Sequence, residues 1–313
     1  KNMKRRYIVL NTSIILLLIC ISSGVYWGIY NVLPYSAIKP FRITPQILKD
    51  KFNESVSPDR YTNLTINKFS FYTNDSILIR GLFIPATGKP KGTILVLHGI
   101  ASNKELMLPY AIDLVKDSFN VVLYDSRAHG ESGGEYCTLG YYEKNDVSKC
   151  IDKVIQQYGD TCAPFGIIGN SMGAAITLQA MAQEKRIVCG ISESSFANLH
   201  ETMCDYLEQM IHVRWDWITT PAFARSEEIA HFHIDQVSPE KSVCSITQPV
   251  LLIHGDVDEK INIRYAHRIF DNLHSHKEFY TIHNAGHENL RGMGGEEYTR
   301  RIREFFGKWM VGK

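Results

Sequence analysis

No Cys-x-x-Cys pair occurs among the seven cysteines, and none sits at a metal-ligand spacing. That argues against a zinc or iron–sulfur centre, and no metal or organic cofactor is expected. The chain also lacks an excess of either charge. With 34 basic and 33 acidic side chains its net charge is +1, too small for a field that gathers nucleic acid or another polyanion. Internal repeats and low-complexity tracts are absent too, which removes repeat arrays from consideration. What remains is a chain of 313 residues, long enough for one large α/β domain with accessories and a well-buried core. Cys189 lies in an apolar run and Cys150 on the apolar face of a predicted helix, so both read as buried thiols. The odd count leaves disulfides open for a chain facing an oxidising compartment.

The N-terminus differs in kind from the rest. Lys1, Lys4, Arg5 and Arg6 precede a mostly apolar stretch from Ile8 to Tyr30, densest at Ile14 to Ile21. That approaches the roughly 20 residues of a spanning helix, and Tyr26, Trp27 and Tyr30 suit an interfacial aromatic belt. Residues 1–30 are therefore read as a membrane anchor. Cleavage after Ser22-Ser23-Gly24 would instead release the domain. A lipidated Cys20 is a further alternative, although Ile19 is bulkier than the small residue a lipobox wants before it. The basic flank stays cytoplasmic, which puts the rest of the chain on the far side, or secretes it if the segment is cleaved. Sequons at Asn53, Asn63 and Asn74 fit that side only in a glycosylating host.

From 31 to 60, Pro34, Pro40, Pro45 and Pro58 interrupt any long regular element, as in a stalk or a draped linker. From 61 to 313 strands and helices alternate. Strands are expected at Leu64–Phe71 and Ile77–Ile84, joined by an Asn74-Asp75 turn, and at Thr93–Leu97, Asn120–Tyr124, Phe165–Ile168, Ile187–Ser192, Val250–Ile253 and Glu278–Ile282. Helical spacing appears around Met107–Val115, Val147–Tyr158, Ala174–Ala182 and Tyr265–Phe270, and from Tyr298 to Trp309. Between about 196 and 245 the alternation stops and the chain is mostly helical. Such alternation implies a mostly parallel sheet with helices on both faces, whose ligands bind beyond the carboxyl ends of the strands.

The chemistry-bearing residues fall at those ends. Gly169-Asn170-Ser171-Met172-Gly173 has the G-x-S-x-G pattern between a strand and a helix, a sharp turn that exposes the serine hydroxyl. Its glycines present no Cβ to the crowded backbone. A serine needs a neighbouring base to become nucleophilic. His287, in the loop before the last helix, is the first choice, and His283 at the strand end is the second. A carboxylate must hold the imidazole in one tautomer. Asp258 is preferred, with Asp256 and Glu193 as alternatives. Two backbone amides must face the developing oxyanion. Met172 follows the serine and Ile100 follows His98-Gly99, where Gly99 lets the chain turn; the Ile100 side chain reads as packing. Arg127, His129 and Glu131 read as loop-bracing residues.

Taken together, Leu97-His98-Gly99-Ile100, the loop from Tyr124-Asp125 to Gly133-Gly134, Gly169 to Gly173, His254-Gly255-Asp256-Val257-Asp258 and Ala285-Gly286-His287 resemble the alpha/beta-hydrolase superfamily. The branch they look most like holds membrane-anchored, cephalosporin-deacetylase-like and serine-aminopeptidase-like members. The resemblance spans about Leu64 to Trp309. It implies an alpha/beta-hydrolase fold with a cap inserted at about 196–245. It also selects Asp258 over Asp256 as the acid of a Ser-His-Asp triad. Ala128 departs from it, since such loops often carry glycine there.

The activity that follows is hydrolysis of carboxylic esters through an acyl-enzyme, with a small-molecule acyl substrate. Thioesters or amides are alternatives for the same triad. A non-catalytic membrane-anchored binding module is a remote one. Leu199, Met203, Tyr206, Leu207, Met210, Trp215, Trp217, Ile218 and Phe223 populate the inserted segment. Its tryptophans and methionines are candidates to line an apolar acyl pocket.

Overall fold

The computed structural model describes residues 2–44, 46–48, 64–212 and 215–311. Eight strands form one sheet in the order β1-β2-β4-β3-β5-β6-β7-β8. They are β1 (Asn67–Tyr72), β2 (Leu78–Ile84), β3 (Thr93–Leu97), β4 (Asn120–Tyr124), β5 (Phe165–Asn170), β6 (Ile187–Glu193), β7 (Val250–Gly255) and β8 (Lys277–Ile282). Only the β1/β2 and β2/β4 pairs are antiparallel. The other pairs are parallel, which brings the carboxyl ends of β3 to β8 to one edge.

The period of two along each strand sorts side chains into two cores. Leu95, Leu97, Val122, Tyr124, Phe165 and Ile167 face one cluster. Ile94, Val96, Val121, Leu123 and Ile168 face the other. On the first side lie α4 (Glu143–Tyr158), α5 (Met172–Gln183) and α9 (Arg264–Asn272). On the second lie α3 (Leu108–Lys116) and α10 (Leu290–Met310). Because both faces are covered, the central strands read as continuous apolar runs. Cys150 and Cys189 are fully buried, as those runs imply.

Several strands outlast their apolar runs. Asn170 pairs with Glu193, and Gly255 with Ile282. Backbone pairing continues through polar residues that hydropathy alone reads as loop, so the elbow and both acidic strand ends are rigidly held. At the other margin, β1 starts at Asn67 and not at Leu64.

The inserted segment is helical, as expected: α6 (Leu199–Ile211), α7 (Asp216–Ala230) and the short α8 (Pro239–Ser242) lie between β6 and β7. Ahead of the domain stand α1 (Asn2–Asn31) and α2 (Leu33–Ile38). Where the structure describes residues 31–60, they are draped on the domain and do not stand off it as a stalk. Ile38 is fully buried in the first core, and its carbonyl accepts from the Cys137 N–H at 2.8 Å. The Ser226 hydroxyl of α7 donates to the Pro34 carbonyl at 3.2 Å. Burying one isoleucine contributes about 1.5–3 kcal/mol, enough to hold residues 33–44 as a strap on the domain. Pro45, Pro58, Asn53 and Asn63 lie outside the described residues. Asn74 sits in the expected turn between β1 and β2.

Candidate active site

The elbow after β5 puts Ser171 at φ 53°, ψ −114°. Its N–H donates to the Glu193 carbonyl at 2.8 Å, and its carbonyl accepts from Ala174 and Ala175 in the first turn of α5. The glycine requirement is steric. A Cβ on Gly169 would lie 2.1 Å from the Gly173 carbonyl oxygen, and one on Gly173 would lie 2.4 Å from that of Leu97. Strand and helix can approach this closely only without side chains at both positions.

His287 reaches the serine from the loop between β8 and α10. Its Nε2 stands 2.9 Å from Ser171 Oγ, and its Nδ1 stands 2.8 Å from Asp258 Oδ2. The Asp258 side chain is wholly buried, with Oδ1 accepting from the Ile261 and Lys260 amides at 2.8 and 3.0 Å. Burial pushes its carboxyl up. Hydrogen bonds from His254 and His287, the charge of His287 and the Ile261 amide outweigh that and hold it well below the usual carboxylate range. An ionised carboxylate only accepts, so Nδ1 of His287 carries the proton and Nε2 is left to receive the serine hydroxyl.

The remaining candidates have other partners. His283 Nδ1 and Asp256 Oδ2 pair with each other at 2.9 Å on the surface. Glu193 is buried and accepts from the Tyr110 and Tyr298 hydroxyls, each at 2.6 Å. Among the described residues, neither the Ile100 nor the Met172 amide donates to a backbone carbonyl, and a Cβ on Gly99 would lie 3.4 Å from Ser171 Cβ. Both loops thus converge beside the serine. The Met172 side chain belongs to the core, with its sulfur 3.4 Å from Cys137 Sγ.

The chain has relatives at the level of sequence and of fold. The family model described as serine aminopeptidase, S33, matches residues 88–228. A Bacillus subtilis protein, YqkD, described as uncharacterized, is 26% identical over 238 residues, 72% of this chain and 74% of its own. Human alpha/beta hydrolase domain-containing protein 17B is 24% identical, covering 79% of this chain and 77% of its own. The solved structure of the Pyrococcus furiosus esterase Pf2001 superposes with a TM-score of 0.70 at 25% identity, over 87% of this chain and 98% of that one. The chain belongs to the alpha/beta-hydrolase superfamily.

In this hydrolase a cleft of about 750 Å³ opens over Ser171, walled by Ile43, Ile100, Met107, Tyr110, Tyr206 and Leu290. Two sequence expectations are corrected here. The Ile100 side chain is not packed away but is 41% exposed on the cleft. Trp215 and Trp217 do not line the cleft. They stack on each other at 5.7 Å in the open, while Met203 packs against the core. The side chain of Met210 lies outside those described.

Two histidines fix the loop that carries Ile100. His98 Nδ1 donates to the Gly99 carbonyl at 2.7 Å, and its Nε2 accepts from the Ser126 N–H at 3.0 Å. His129 Nδ1 donates to the Arg127 carbonyl at 2.9 Å, and its Nε2 accepts from the Ala101 N–H at 3.2 Å. Burial pulls them down to about 4 and about 3, so both rings are neutral in the tautomer these bonds need. The left-handed turn in the loop falls on Ala101, at φ 51°, and not on Gly99.

The expected braces are present as well. Arg127 bonds Asp75 and Asp146, and Glu131 meets the buried Lys104, which also holds Asp125. Ala128 stands at φ 63°, a left-handed position of the kind that glycine adopts without strain. Sequence reasoning missed Ile43, which sits in the strap, and Tyr110, whose helical spacing resembles that of a core residue.

Proposed function

We propose that this hydrolase is a serine carboxylesterase anchored to a membrane by α1, with Ser171, His287 and Asp258 as its triad. The observation that carries the reading is the unbroken hydrogen-bonded chain Ser171–His287–Asp258, at 2.9 and 2.8 Å, opening on an apolar-walled cleft. Ser171 Oγ adds to the acyl carbonyl as its proton passes to His287 Nε2. The Ile100 and Met172 amides hold the oxyanion, each worth about 3 kcal/mol of barrier. Asp258 stabilises the imidazolium without taking its proton. His287 then protonates the departing alkoxide, leaving an acyl-enzyme. Water repeats the sequence and frees the acid.

Ser171→Ala lowers kcat/KM on nitrophenyl esters by about 10⁴-fold or more and abolishes fluorophosphonate labelling. A labelled, active variant sinks the assignment. The serine aminopeptidase family model favours amides as the second substrate class. Aminoacyl amides and acyl-CoA assayed beside esters separate amidase, thioesterase and esterase.

The anchor reading draws on the helical stretch 5–38, α1 and the start of the strap, which is long and apolar enough to cross a bilayer. With the basic flank cytoplasmic, the domain stands on the far side.

A further inference from the structure

We propose that the start of α7 is a membrane-contact face, seating Trp215 and Trp217 in the headgroup layer of the bilayer that α1 spans. The inference rests on α1 being the anchor. The apolar run from Ile8 to Val25 is about 27 Å long at 1.5 Å per residue, close to a hydrocarbon core of about 30 Å. Tyr26 and Trp27, 64% and 61% exposed on α1, then mark the domain-side interface, where amphipathic rings belong. Ile29 follows two residues, about 3 Å, further along the axis, and it is buried against Ile218 and Ala222 of α7. That contact fixes the first turn of α7 at headgroup level. At that turn stand the stacked Trp215 and Trp217, 42% and 61% exposed. Left in water, two such indoles are an unexplained apolar surface. At an interface their rings enter the acyl boundary and their N–H groups stay wet.

One turn of α6 joins this face to the site. Tyr206 walls the cleft, and Leu207 packs on the Ile29–Ile218 cluster. The cleft wall and the bilayer contact therefore move as one element, and the substrate class that fits is an acyl ester resident in the membrane.

The test uses the full chain carrying Trp27→Phe and Trp309→Phe, which leaves Trp215 and Trp217 as its only indoles, since the chain has four tryptophans. It is reconstituted in phosphatidylcholine vesicles with or without brominated acyl chains. Emission should fall at least twofold with bromolipid. Emission indifferent to bromolipid but quenched by acrylamide, in protein that floats with the vesicles, overturns the face and leaves the anchor standing. Protein that does not float removes both. In the otherwise unaltered chain, Trp215→Ser with Trp217→Ser should leave hydrolysis of a soluble short ester unchanged and slow hydrolysis of a vesicle-borne long-chain ester about fivefold. Equal rates on the vesicle substrate overturn the link to the cleft.

Discussion

Glu193 sits at the carboxyl end of β6, fully buried, receiving two tyrosine hydroxyls. Burial raises its pKa to about 7, against the lowering effect of Tyr110, Tyr298 and Arg291. Its folded value lies above its ordinary one, so its stabilising contribution is complete below about pH 4.5 and fades as pH rises through 7. His98 and His129 work in the opposite sense. Their folded values are depressed, so the unfolded chain takes up protons that the native state refuses between about pH 6.5 and 4, and stability falls on acidification. Near pH 6 one raised carboxyl cancels about one of the two histidines. Glu193→Gln removes that offset. The loss of stability per pH unit between 6.5 and 5 should steepen by about 1 kcal/mol, read from urea midpoints across that range. Equal slopes for the two proteins would show that Glu193 titrates normally. None of this was legible in the chain, where Glu193 looked like one more strand-end carboxylate available to His287. Only the tyrosines on α3 and α10, about 83 and 105 residues away in sequence, decide its role.

Residues 33–44, the short α2 and the irregular chain after it, act as an element in their own right. Arg42 sends one guanidinium nitrogen to the His129, Gly130 and Ser132 carbonyls and another to Gly134. This ties down the loop whose His129 holds the Ala101 amide. Next to it, the Ile43 carbonyl accepts from Asn103 at 3.1 Å, and its side chain forms a cleft wall. Arg42→Ala should cost about 2–3 kcal/mol in urea unfolding, since bonds from a charged donor are worth more than neutral ones. KM for longer acyl esters should rise more than for acetate. A variant as stable as the parent, with unchanged KM, would reduce the clamp to a surface contact. The sequence conveyed the strands and the elbow well because buried parallel strands are written as apolar runs and the elbow as a compact motif. It left the strap open between a stalk and a draped linker, because proline spacing reports where regular structure stops, not whether the chain is packed.

For the molecule as a whole, the strap separates what is removable from what is integral. A chain beginning at Leu33 should keep its fold and its activity on soluble short esters. One beginning at Leu64 loses Ile38, Arg42 and Ile43 together. At about 4 kcal/mol or more of lost stability, its Tm should fall by about 10 °C, measured by calorimetry or by circular dichroism at 222 nm. If both truncations melt alike, residues 33–44 contribute nothing to the domain. The match to the Pyrococcus furiosus esterase covers 87% of the chain, so it takes in most of the α/β body. Within this chain, Ile29 of α1 packs against Ile218 and Ala222 of α7.

The Arg42 clamp also imposes an order on synthesis. Its most distant acceptor, Gly134, follows it by 92 residues. At about 5–20 residues per second, the ribosome needs about 5–18 s to supply that partner once Arg42 has been made. Throughout that interval the Arg42 guanidinium lacks its last acceptor, while Asn103, the partner of the Ile43 carbonyl, is made earlier. Arg42 therefore stays without its full set of acceptors until residues 129–134 have been made, and Ile43 beside it precedes every other residue that walls the cleft.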